Sequence, residues 1–261
     1  MELNVDGRAV FAATGGRPFD PALPAIVFIH GAGMDHSVWS LQTRYFAHHG
    51  RGVLALDLPG HGRSAGPGLD GIEPMAAWLG RLLDAADLER AALVGHSMGA
   101  LVALGAAAAL GPRVRALALL GAASRMPVHP DLLAAAEADD PLARDLVTSW
   151  GHGPAGHLGG NRAPGLWLMG GAERVLERAG PGVLFRDLAA CDAYDGAAAA
   201  ARIACPCLVL VGAADRMTPA KAGRALAGRI AGARVAEIAD CGHMMMQERP
   251  DQTLDALRTM L

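Results

Sequence analysis

The sequence predicts an α/β protein organised around a parallel sheet, on three observations. Apolar runs near residues 25 to 30, 52 to 57, 91 to 96, 114 to 120, 207 to 212 and 233 to 238 alternate with helix-period segments at about 37 to 49, 72 to 87, 98 to 110, 218 to 230 and 250 to 260. Strands joined through helices pair in parallel, because the connection must cross back over the sheet. Gly95-His96-Ser97-Met98-Gly99 stands between the apolar run ending at Val94 and the helical pattern starting at Ala100, the setting of a sharp strand-to-helix turn. The 261 residues, 52% of them hydrophobic, suffice for one substantial core in a single domain.

In chain order, residues 2 to 12 read as a hairpin turning at Asp6-Gly7. The run Ala25-Ile26-Val27-Phe28-Ile29 leads into His30-Gly31-Ala32-Gly33, a loop whose glycines let backbone approach a substrate closely. Gly50 and Gly111 are helix stop signals, and Pro250 is a start signal. Between residues 125 and 203 the alternation breaks. No strand-like run is evident there, and Pro127, Pro130, Pro141, Pro154, Pro164 and Pro181 divide short helical stretches.

The chemistry centres on Ser97. A serine hydroxyl is a poor nucleophile at neutral pH unless a neutral imidazole within hydrogen-bond reach takes its proton. Asp215 lies in the turn leaving the strand Cys207–Val211, and His243 follows the run Arg234–Ile238 through Asp240-Cys241-Gly242. Of ten histidines only His243 comes after Asp215, so in the chain order Ser, acid, His it alone can be the base. Asp215 is then expected to hold the imidazole in its reactive tautomer. The backbone N–H groups of Met98 and Ala32 are the expected donors to the oxyanion that forms during attack.

These residues carry a resemblance to the α/β-hydrolase family that extends over most of the chain. The matching pieces are HGAGMDHSVW at 30 to 39, DLPGHGRS at 57 to 64, GHSMG at 95 to 99, GAADRMTP at 212 to 219 and CGHMMMQERP at 241 to 250. The resemblance implies the α/β-hydrolase fold, with helices on both faces of a mostly parallel, twisted sheet, a Ser-Asp-His triad, and no cofactor. The chain looks most like small bacterial carboxylesterases and enol-lactonase-type hydrolases. Serine at the elbow departs from the haloalkane dehalogenase and epoxide hydrolase branches, which use aspartate there. In this family an insertion at the position of residues 125–203 forms a helical cap, leaving 1–124 and 204–261 as the core. The stretch from Trp150 to Trp167, rich in glycine, has the composition of a movable apolar lid. Met126, Trp150 and Trp167 are accordingly the expected substrate-binding side chains.

The expected function is a serine hydrolase that cleaves carboxylic esters of small to medium acyl chain through an acyl-enzyme intermediate. Alternatives with the same triad are a lactonase, a thioesterase, or a carbon-carbon hydrolase or lyase, since the triad does not fix the scissile bond. A ligand-sensing protein with vestigial turnover is a further alternative.

Other features narrow the field. A net charge of −3 offers no electrostatic footprint for nucleic acid or an acidic membrane, so the expected partner is a small-molecule ester. The N-terminus lacks a basic region followed by an apolar core, and no apolar stretch is long enough to span a bilayer, which predicts a cytoplasmic protein. Four cysteines are too sparse for a disulfide framework, and Cys205-Pro206-Cys207 is too close for a zinc or redox pair. Gly66–Gly71 and Gly151–Gly156 match G-x-G-x-x-G, yet neither follows a strand and both contain proline, so neither predicts a dinucleotide site. No metal site is expected at His152 and His157, whose intervening glycines and proline spoil a helical spacing. Asp57 and Arg63 read as groups tying down a tight turn. Cys241 reads as a buried filler, and Met244, Met245 and Met246 as packing beside the triad. Lys221, the single lysine, is not placed for Schiff-base chemistry.

Overall fold

The computed structural model describes residues 1–160 and 165–261; among the expected helix breakers, Pro164 lies outside them. The first half runs β1 (Glu2–Val5), β2 (Arg8–Ala13), β3 (Ala25–Ile29), α1 (Ser40–His48), β4 (Gly52–Leu56), α2 (Ile72–Ala85), β5 (Ala91–His96), α3 (Met98–Leu110) and β6 (Val114–Leu120). Helices α4 (Pro130–Glu137), α5 (Pro141–Gly151), α6 (Leu168–Glu177), α7 (Val183–Ala193) and α8 (Ala197–Ala200) follow. The chain then closes with β7 (Cys207–Gly212), α9 (Ala220–Ala227), β8 (Arg234–Ile238), α10 (Met245–Glu248) and α11 (Pro250–Arg258).

The eight strands form one sheet in the order β1-β2-β4-β3-β5-β6-β7-β8. The pairs β1/β2 and β2/β4 are antiparallel, and the remaining pairs are parallel, so the expected mostly parallel sheet is present with the N-terminal hairpin as its antiparallel edge. The central strands are apolar on both faces because both faces are covered. Along β3, Val27 and Ile29 enter one core with Leu79 of α2, Leu101 of α3 and Leu226 of α9. Ile26 and Phe28 enter the other with Trp39, Phe46 of α1 and Leu257 of α11.

From β3 the chain moves to β4 on one side and then returns to place β5 on the other. The loops leaving β3 and β5 therefore diverge at their carboxyl ends, opening a crevice at the switch point of the sheet. Residues 125 to 203 build α4 to α8 between β6 and β7; among the described residues there, the strand-like pairing is a single bridge between Arg125 and Asp195. No described helix is long and apolar enough to cross a membrane.

Three boundaries differ from the sequence reading for local reasons. The segment expected from 218 is helical only at Ala220–Ala227, because the Thr218 N–H donates to the Asp215 carboxylate at 2.8 Å and holds that residue in the loop. The segment expected from 37 opens with a 3-10 turn, His36–Trp39, capped by Asp35. Helix α10 has four residues, too few to show a period. The turn after β4 is tied as expected. The Asp57 carboxylate accepts from the His36 N–H and Nδ1 at 2.8 Å and from the Arg63 N–H at 2.9 Å, while the Arg63 guanidinium lies 3.7 Å from the centroid of the Phe11 ring.

Leu101 is fully buried in α3 at the centre of the first core. Leu101→Ala is expected to lower stability by about 2 to 5 kcal/mol through the cavity it leaves. Denaturant unfolding would show this as a lower midpoint with an unchanged slope.

Candidate active site

Strand β5 leads directly into α3 through Ser97, whose φ of 55° and ψ of −120° are unusual for a residue with a side chain. Close packing maintains this conformation. A Cβ at Gly95 would collide with the carbonyl oxygen of Gly99, and one at Gly99 would collide with the carbonyls of Ile29 and His30. Both glycines of the motif are thus required by the near approach of α3 to β5 and β3, and the turn exposes Ser97 to the crevice. The Ser97 N–H donates to the Leu120 carbonyl at 2.9 Å, anchoring the turn to β6.

The loops after β7 and β8 bring Asp215 and His243 together. Oδ2 of Asp215 lies 2.8 Å from Nδ1 of His243. The carboxylate also accepts from the N–H of Met217 (2.9 Å), the N–H of Thr218 (2.8 Å) and the hydroxyl of Thr218 (2.9 Å). Burial by itself would raise the Asp215 pKa, but the adjacent His243 ring and these donors hold it below the ordinary carboxylate range. An ionised carboxylate at Nδ1 places the imidazole proton there, leaving the Nε2 lone pair as the acceptor. Nε2 of His243 is buried with no hydrogen-bond partner, while Ser97 and His243 line one cavity. A contact that forms only when substrate binds is common for a catalytic base.

His96 is a buried companion to this ring. Its centroid lies 4.6 Å from that of His243, and its Nε2–H donates to the His243 carbonyl at 3.0 Å. Burial and the neighbouring His243 push its pKa down to about 3, so His96 stays neutral and supports the backbone beneath the candidate base.

The loop after β3 supplies the facing wall. Ala32 lines the cavity and Met98 opens α3, where the first helical N–H groups have no partner within the helix. Neither the Ala32 nor the Met98 N–H donates to a protein acceptor among the described residues. The cavity measures about 310 Å³ and is mostly apolar. Core residues Met34 and Met244 meet Leu132, Val147 and Leu188 of the helical segment across it. Exposed Arg216 is the only permanently charged side chain in the lining formed by the described residues.

The structure brings Ser97, Asp215, His243, Ala32 and Met98 to this crevice, with Met126 and Trp150 in the cavity wall. It does not bring Trp167. That side chain is 48% exposed at the N-cap of α6, against Gly170 of its own helix, so its place beside a glycine-rich stretch did not make it a pocket residue. Met244 lines the cavity, Met245 and Met246 lie in the core, and Cys241 is a buried filler. His157 is exposed, whereas His152 is buried.

Several residues in the site's framework carried no sequence signal strong enough to single them out. Thr218 braces the Asp215 carboxylate, and its spacing three residues after the acid was its only cue. Glu248 is buried behind the His243 loop, where one oxygen accepts from the N–H groups of Gly242 (3.1 Å) and Gly153 (2.9 Å). Burial pushes its pKa up despite those donors. The Gly151 carbonyl accepts from the N–H groups of both His243 (2.9 Å) and Met244 (3.1 Å). The stretch from Gly151 to Gly156 is therefore part of the frame around His243. A Cβ at Gly242 would collide with the Gly153 amide, which explains glycine on both sides of that contact.

A strained serine at a strand-to-helix turn, lining one cavity with an imidazole held by a carboxylate, defines a hydrolase class of α/β fold. The chain belongs to the alpha/beta hydrolase family, whose model matches residues 26–256. A pimeloyl-[acyl-carrier protein] methyl ester esterase of Aromatoleum aromaticum is 32% identical over 244 residues, covering 87% of this chain and 94% of that protein. The enol-lactonase of Burkholderia xenovorans LB400 superposes with a TM-score of 0.88 at 27% identity, over 100% of this chain and 99% of the other. An N-acyl homoserine lactone degrading enzyme superposes at 0.85, with 25% identity and full coverage of both chains.

Thr218→Val removes one donor from Asp215 while keeping the side chain's shape. Fluorophosphonate labelling of Ser97 is expected to slow by about tenfold, the worth of one hydrogen bond to a charged group, with the melting temperature little changed. Labelling rates by mass spectrometry provide the check.

Proposed function

We propose that this hydrolase cleaves carboxylic esters of small to medium acyl chain through an acyl-enzyme intermediate. The observation that carries this reading is the 2.8 Å contact between Asp215 and Nδ1 of His243, with Nε2 unpartnered in the same cavity as Ser97. Ser97 Oγ attacks the ester carbonyl as His243 Nε2 takes its proton, and the Ala32 and Met98 N–H groups receive the charge that moves onto the carbonyl oxygen. The tetrahedral intermediate collapses when His243 returns the proton to the leaving alkoxide. Water then attacks the acyl-serine with His243 again as base, releasing the acid and restoring Ser97.

Residues 125–203 act in this reading as a cap over the core formed by 1–124 and 204–261. Their side chains make much of the cavity wall, and a volume of about 310 Å³ suits a compact acyl group better than a long lipid chain. The activities for which two relatives similar over nearly their whole length are named, a methyl ester esterase and an enol-lactonase, support attack at an ester carbonyl. The second of these also favours a cyclic ester as the alternative substrate. With Arg216 at the rim and no carboxylate in the described lining, neutral or acidic esters are favoured over cationic ones.

Ser97→Ala is expected to reduce ester turnover by about 10⁶ and Asp215→Asn by about 10⁴, with the fold intact. A folded Ser97→Ala variant retaining a tenth of wild-type activity would sink the mechanism. Rates across linear esters, thioesters and lactones identify the bond that is cleaved.

Trp150→Ala and Met126→Ala are expected to shift the optimum toward longer acyl chains while Ser97 still reacts with the probe. An acyl-length series that is unchanged in both variants would remove the cap from substrate selection.

A further inference from the structure

One buried carboxylate near the cavity has no part in the proposed proton transfers. Asp187, in the middle of α7, has no exposed surface. Its Oδ2 accepts from the Gly33 N–H at 2.8 Å and from Nε2 of His61 at 2.8 Å, while Oδ1 is buried without a partner. A carboxylate sealed from water is unfavourable unless it is paired, so its partners show what it is positioned to hold. Both belong to the core: Gly33 follows Ala32, and His61 lies in the turn after β4.

From His61 the contacts lead back to the peptide that carries the Ala32 N–H. The ring of His61 packs on that of His30 with centroids 4.8 Å apart. His30 Nε2 accepts from the Leu58 N–H at 3.1 Å, so its proton sits on Nδ1 and donates to the Gly31 carbonyl at 2.8 Å. That carbonyl belongs to the same planar peptide as the Ala32 N–H, and fixing one end of the plane aims the other. The Met34 N–H binds the same carbonyl at 3.2 Å. Asp187 fixes the next peptide plane at the Gly33 N–H. A Cβ at Gly33 would touch Leu176 and Leu184, so cap side chains press on the loop from the same side. Leu188 and Cys191, on the same helix as Asp187, line the cavity.

We propose that Asp187 is a positioning residue for the oxyanion hole: through Gly33 directly, and through His61 and His30 on the Gly31 carbonyl, it aims the Ala32 N–H, so that seating α7 of the cap and completing the oxyanion hole are one event. This rests on the reading of Ala32 as an oxyanion donor.

The pair also gives the device a pH dependence. Both nitrogens of His61 face acceptors, Asp187 at Nε2 and the Pro59 carbonyl at Nδ1, 3.1 Å away, an arrangement that needs the doubly protonated ring. His30 from the β3 loop and Asp187 from the cap face it, with Asp57 nearby, within interaction range of His30. Burial alone would lower the His61 pKa, but the Asp187 charge and its hydrogen bond raise it above the ordinary 6.5. A raised histidine pKa means that the pair's contribution is full below about pH 6.5 and is lost as the pH rises through the higher folded value. His30, pushed down to about 4 mainly by burial, stays neutral across that window.

The test compares wild type, Asp187→Asn and His61→Gln on a short p-nitrophenyl ester, with kcat and KM measured from pH 6 to 10 and folding checked by thermal melting. Asp187→Asn is expected to lose about 10- to 100-fold in kcat, short of the loss of a whole oxyanion donor, with KM within threefold. Wild type is expected to show a decline in kcat above neutral pH that is missing in His61→Gln. If Asp187→Asn does not fold, the His61→Gln pH profile decides alone. A folded Asp187→Asn with kcat within threefold of wild type, or an alkaline decline that persists in His61→Gln, overturns the proposal while leaving the nucleophile assignment standing. Failure of a fluorophosphonate to label wild-type Ser97 would instead remove the underlying reading of the site, and the proposal with it.

Discussion

The constraint on which the rest of this molecule depends is the backbone turn at Ser97. A non-glycine residue at a φ of 55° is strained, at a cost of about 1 to 3 kcal/mol. The surrounding sheet and helix hold it there. Gly95 and Gly99 let α3 descend almost onto β5 and the end of β3, and the small residues of Met98–Leu110 keep that helix buried against its neighbours. The same close approach leaves the start of α3 open toward the crevice and sets Met98 beside the loop that carries Ala32. The candidate nucleophile and oxyanion donors are thus placed by one packing arrangement.

A second constraint acts where the helical segment meets the core. Its seating does not rest on apolar contact alone. On one side the Gly151 carbonyl and the Gly153 N–H meet the His243 loop and Glu248; on the other, Asp187 meets Gly33 and His61, and Arg178 pairs with Asp35 at 2.6 Å. Glu248 and Asp187 each keep one oxygen buried and unpartnered. Such groups are poor sources of net stability, because desolvation offsets most of their attraction. Their directional bonds do restrict the geometry of the loops they hold, and those loops carry His243 and Ala32.

The site accordingly divides its labour. The candidate reacting groups all come from strand ends of the core, where the sheet fixes their spacing, whereas much of the cavity wall belongs to the helical segment. Substitutions in that wall can alter which ligand fits without moving Ser97, Asp215 or His243 relative to one another.

Much of this was legible in the sequence, for identifiable reasons. The alternation of apolar runs and helical segments determined a parallel sheet, because crossover connections allow little else. G-x-S-x-G located Ser97, and chain order singled out Asp215 and His243, since local backbone chemistry and residue type were enough. Contacts between segments distant in sequence were decided only by the tertiary structure. Trp167 looked like Trp150 in composition, yet one side chain lies on the surface and the other in the cavity, a difference set by how α5 and α6 pack. Asp187 is one of many acidic residues until α7 brings it, from 154 positions along the chain, to the Gly33 N–H. The sequence by itself determined the fold and singled out the candidate reacting residues, because those depend on local pattern and order. What surrounds and aims them depends on which distant backbone groups meet, and only the folded chain decides that.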